Sequence, residues 1–77
     1  MHYGASSTLP PEKVVGRAVE YFGDLGLKVT KRSPSTLVME GERGMVAITL
    51  SLGTETEVDI VAHGLKEQVK AFLQRIG

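Results

Sequence analysis

Met45-Val46-Ala47-Ile48-Thr49-Leu50-Ser51-Leu52 is the stretch that decides the fold. Val46, Ile48, Leu50 and Leu52 alternate with Met45, Ala47, Thr49 and Ser51. A period of two puts the four branched aliphatics on one face of a strand. This is the most apolar run in the chain and has strand-like runs on both sides, so it reads as a central strand.

Upstream, Gly41-Glu42-Arg43-Gly44 reads as a hairpin tip. Before it, Leu37 and Met39 alternate with Thr36, Val38 and Glu40. The hairpin should set Val38 opposite Ala47 on one face and Leu37 opposite Ile48 on the other. Ser33-Pro34-Ser35 turns the chain back into residues 27–32, where Leu27, Val29 and Lys31 alternate with Lys28, Thr30 and Arg32. Glu40 should then face Lys28 across the strands. Downstream, Gly53-Thr54 turns into residues 55–62, with Val58, Ile60 and Ala62 on one face. The apolar faces agree only if that loop holds an odd number of residues, and three is the expectation.

Two helical patterns flank the strands. Val14, Val15, Ala18, Val19, Phe22 and Leu25 recur at three- and four-residue steps, which predicts an amphipathic helix over residues 10–25. Leu9-Pro10-Pro11-Glu12 opens it, with Thr8 as the capping candidate, and Gly26 stops it. Gly16 falls inside, at a cost of about 1 kcal/mol against alanine. Its role is either to let a neighbouring element approach or none. After Gly64, Leu65, Val69, Phe72, Leu73 and Ile76 make the cleanest helical stripe in the chain. Residues 1–8 are polar and small, and read as an arm or as a short extra edge strand over residues 3–7.

The expected architecture is α+β, in the order α-β-β-β-β-α. Short loops favour a four-stranded antiparallel meander. Both helices should cover its apolar face, as a two-layer sandwich. Seventy-seven residues suffice for one domain. The expected core is Val15, Val19, Phe22, Leu27, Val29, Leu37, Met39, Val46, Ile48, Leu50, Val58, Ile60, Val69, Phe72, Leu73 and Ile76. These should fill the space between helices and sheet and leave no ligand cavity there.

Leu9-Pro10-Pro11-Glu12-Lys13-Val14 resembles the Pro-Pro-Glu-x-Val helix start of the helix-grip superfamily, which includes START and Bet v 1-like proteins. The antiparallel strands and closing helix are similar too. The resemblance implies a curved sheet gripping a C-terminal helix around a site for an apolar ligand. Helix-grip proteins are roughly twice as long, so this chain would be a miniature, and none of their functional residues has a match here.

Chemistry-bearing patterns are scarce. Nine Lys and Arg balance nine Asp and Glu, and no basic excess draws the chain to nucleic acid or an acidic membrane. The absence of cysteine excludes disulfides, thiolate nucleophiles and zinc–thiolate sites. No apolar run approaches the roughly 20 residues of a membrane helix, and a cytoplasmic protein is the expectation. His2 and His63 lack metal-ligand spacing, and Gly41-x-x-Gly44 is too short to cradle phosphate. The basic residues Lys28, Lys31 and Arg32 have no interleaved aromatic residues for stacking bases. No cofactor, metal, catalytic set or nucleic-acid partner is expected.

One surface asks for an explanation. Thr30, Val38, Ala47 and Val61 should cross the open sheet face as a mildly apolar stripe beside Thr49. Lys28 and Arg32 should lie at one end, Glu57 and Asp59 at the other. The bland reading is a solvated face, since scattered surface apolars are normal. Three functional readings follow. The first is a non-catalytic interaction module that self-associates or binds a partner through this face or an edge. The second is a small apolar-ligand binder of helix-grip type, and the third is an enzyme. For a homodimer, the charges favour face-to-face stacking about an axis parallel to the strands. Pairing the basic strand on itself, or the acidic one on itself, juxtaposes like charges.

Overall fold

The computed structural model describes residues 1–77, in an α+β fold of five antiparallel strands and two helices. The elements are β1 (His2–Ser7), α1 (Pro11–Asp24), β2 (Lys28–Ser33), β3 (Thr36–Gly41), β4 (Gly44–Leu52), β5 (Thr56–His63) and α2 (Lys66–Ile76). Strands β5-β4-β3-β2 form the expected meander. Val38 pairs with Ala47, Leu37 with Ile48, and Lys28 with Glu40. Three residues, Gly53, Thr54 and Glu55, separate β4 from β5. That odd count keeps Leu50 opposite Val58 and Ile48 opposite Ile60 on one face.

The strand count is the main correction. The first residues form a fifth strand, and β1 pairs along β5 from His2 opposite Val61 to Ser7 opposite Thr56. The sheet edges are therefore β1 and β2, and the acidic strand β5 is interior. Two buried hydroxyls anchor this addition. Ser7 Oγ donates to the carbonyl of Ile76 and accepts from the Leu9 N–H at 3.1 Å. Thr56 Oγ1 donates to the Leu9 carbonyl at 2.7 Å. Together they hold the segment that leads into α1. Thr8 is not the cap: Pro10 occupies that position and makes no side-chain cap bond.

Both helices lie on one sheet face, because their buried residues share one cluster with one face of the strands. Phe22 of α1 and Phe72 of α2 are both buried there with Met39, Val46, Ile48 and Ile60. No buried side-chain nitrogen or oxygen lacks a hydrogen-bond partner. The cluster departs from expectation at its margins. Val14, Ala18, Ala62 and Leu65 are buried, whereas Val19 and Leu73 are half-buried and Val29 is 41% exposed on the edge strand β2. Leu65 holds a left-handed backbone (φ 61°), uncommon for a branched residue. It follows Gly64 (φ 70°), and the two turn the chain from β5 into α2.

The end of α1 follows from Gly26. Its φ of 93° allows the Leu27 N–H to reach the Phe22 carbonyl at 3.0 Å and its own N–H to reach Gly23. This Schellman closure satisfies the last carbonyls of the helix.

Candidate functional site

The sheet face turned away from the helices is uncovered. Its residues fall into rows set by the ladder register. One row runs His2, Val61, Ala47, Val38, Lys31 across all five strands. A second runs His63, Met45, Glu40, Lys28 across four, and a third contains Gly4, Asp59, Thr49, Thr36 and Ser33. Glu57 lies beyond the third row, between Ser6 and Ser51.

The apolar part is contiguous. Val38, Ala47 and Met45 are half-buried by their neighbours, and Val61 is 46% exposed. Every second strand residue on the opposite face is needed by the core, so the same alternation that builds the core displays this stripe. Polar groups on either side are tied down locally. Ser6 Oγ donates to Glu57 at 2.8 Å, and His2 Nε2 lies 3.3 Å from an Asp59 oxygen. On the other side Thr30 Oγ1 donates to Glu40 at 2.8 Å and reaches the Val38 carbonyl at 3.4 Å.

The structure gathers Lys28, Thr30, Val38, Ala47, Thr49, Glu57, Asp59 and Val61 on this face, as their spacing implies. Arg32 is the exception. The ladder between β2 and β3 slips between Val29 and Lys31, so Thr30 is an extra residue. Beyond such a bulge the parity of the strand inverts. Lys31 then stands opposite Val38 on the open face, and Arg32 opposite Leu37 on the helix side. Met45 and Lys31 are among the members of this face that sequence reasoning left out. Strand alternation alone places Met45 there. Nothing in Lys28-Val29-Thr30-Lys31-Arg32 announces the bulge that places Lys31.

The face carries charge at both sides and apolar groups between. Lys28 and Lys31 belong to the edge strand β2, and Glu57 and Asp59 to β5. No three His, Cys, Asp or Glu side chains come together as a metal-holding group. No helix is long and apolar enough to cross a membrane. Compared with known proteins, the chain matches no family model and shows no match among curated proteins.

Proposed function

We propose that the protein is a non-catalytic interaction module whose open sheet face docks on a second copy of the chain. The observation that carries this reading is the row Val61, Ala47, Val38. It is an apolar stripe on an uncovered face, with Lys28 and Lys31 on the β2 side, where Glu40 stands opposite Lys28, and Glu57 and Asp59 on the β5 side. A two-fold axis parallel to the strands, passing between β3 and β4, lays Val38 over Ala47 of the copy and β2 over β5 of the copy. Lys31 then lies about 7 Å along the strand, one pleat repeat, from Asp59 of the copy. Stacked sheets of this kind pack about 10 Å apart through interdigitated side chains. The fifth strand leaves this axis available, with β1 overhanging the copy.

We read the architecture as a two-layer sandwich, similar to a reduced helix-grip arrangement in element order. Its apolar-ligand corollary is not favoured. Phe22, Phe72, Leu37 and Ile48 fill the space between helices and sheet, and both hollows in the molecule open at its surface. Sedimentation equilibrium of the wild type and of Val38→Glu tests the module reading. A wild-type dimer that the substitution dissociates supports it, and a wild type that stays monomeric at millimolar concentration removes it.

A further inference from the structure

We propose a second, independent site: the groove between α1 and α2 binds a small organic anion with an aromatic body, such as an aryl carboxylate. The groove lies among the helices, which cover the sheet face opposite the proposed dimer surface, so the two sites do not compete. Its volume is about 430 Å³, within the range of small-molecule sites.

The floor is aromatic. Tyr21 lies with its ring centre 5.1 Å from that of Phe22 and 5.7 Å from that of Phe72, and Phe22 lies 5.3 Å from Phe72. Tyr3 is the chain's remaining aromatic residue of the Phe, Trp and Tyr types. Tyr21 and Phe72 line the groove. Phe22 and Phe72 are buried and Tyr21 is half-buried, so a planar apolar body would meet the exposed part of the Tyr21 ring, which the two phenylalanines support from below.

The rim is cationic. Lys13, Arg17 and Arg75 line the groove with a single carboxylate, Glu20, in a chain whose charges balance overall. The Arg75 guanidinium sits 5.0 Å from the Tyr21 ring centre. That contact holds the cation at the groove wall without neutralising it. A carboxylate is the natural complement, because a guanidinium fork can bind it through paired hydrogen bonds.

Gly16 supplies an observation that packing does not. It lies in the middle of α1, where glycine weakens a helix. A Cβ placed there meets nothing within 4 Å, so no neighbouring element requires the glycine. Gly16 lines the groove, and any larger side chain would grow into it.

The test is a ¹⁵N–¹H NMR titration of the full chain with 1-naphthoate at low salt, beside the uncharged 1-naphthalenemethanol. We expect saturable shifts centred on residues 13–21 and 72–76, with a Kd below about 1 mM for the carboxylate and binding about tenfold weaker for the alcohol. Arg17→Glu should weaken naphthoate binding by about tenfold or more, and Gly16→Leu should do the same by filling the groove. Both positions are exposed, so both variants should keep the wild-type fold by circular dichroism. Shifts mapping to the open sheet face, no saturation, equal binding of acid and alcohol, or an Arg17→Glu variant that binds like the wild type would each overturn the proposal. None of these outcomes depends on whether the chain dimerises.

Discussion

Arg32 stands opposite Leu37, on the side of the sheet that carries the helices, while its neighbour Lys31 stands opposite Val38 on the open side. The bulge at Thr30 makes this division, and it assigns different roles to two adjacent cations. If association runs through the open face, Lys31→Glu should weaken it at low salt by placing a carboxylate near Asp59 of the copy. Arg32→Glu should leave it unchanged. Equal effects of the two substitutions in sedimentation equilibrium would show that general charge, not the face, governs assembly.

Ser7 ties the first strand to the last helical turn. It is buried, donates to the Ile76 carbonyl and accepts from the Leu9 N–H. Ser7→Ala leaves both backbone groups short of a partner, which should cost about 1–3 kcal/mol. In a domain of this size that lowers Tm by roughly 5–15 °C. A thermal melt within two degrees of wild type, an allowance of about 0.5 kcal/mol, would show that β1 contributes little to stability.

Ile48 is 1% exposed at the middle of β4, between Leu37 and Ile60. Ile48→Ala should cost about 2–5 kcal/mol, against a total stability for such a small domain of about 3–5 kcal/mol. Urea denaturation should show a variant largely unfolded at 37 °C. A midpoint close to the wild type would mean that β4 is not the structural centre.

Two glycines should respond in opposite senses. Gly16→Ala meets open space and removes a helix penalty, so it should raise stability by up to about 1 kcal/mol. Gly44 has φ 149°, and a Cβ there runs into the His63 carbonyl oxygen. Gly44→Ala should therefore destabilise by more than Gly16→Ala stabilises, since the backbone at the β4–β5 ladder must shift. Denaturant midpoints of the two variants on the same side of the wild type would contradict this.

Much of the fold was legible because it rests on periodicity. The alternation in residues 45–52 fixed the sidedness of β4, and the odd loop count carried it to Val58 and Ile60. The stripe from Leu65 to Ile76 located α2. The parts that were not legible depend on partners distant in sequence. His2–Ser7 is small and polar, which left an arm and an extra edge strand both open; it is the edge strand, because β5 offers a free edge and Ser7 finds Ile76. Arg32 was misplaced because a bulge has no signature in a run of alternating Lys, Val, Thr and Arg. Thr8 looked like a cap because the hydroxyls of Ser7 and Thr56, which hold Leu9 instead, lie 49 positions apart in the chain. On the open face, Val38, Ala47 and Val61 were placed by alternation alone, whereas the groove between the helices required the packing of Tyr21 and Arg75.

The most direct test of the dimer account is sedimentation equilibrium of the wild type and of Val38→Glu at low and high salt. Val38 points away from the core, so the substitution should leave the fold intact while burying a carboxylate against Ala47 of the copy. The account predicts a wild-type dimer that weakens as salt screens the Lys31–Asp59 attraction, and a Val38→Glu chain that is folded and monomeric at both salts. A wild type that is monomeric at millimolar concentration, or a dimer that tolerates Val38→Glu, would contradict it.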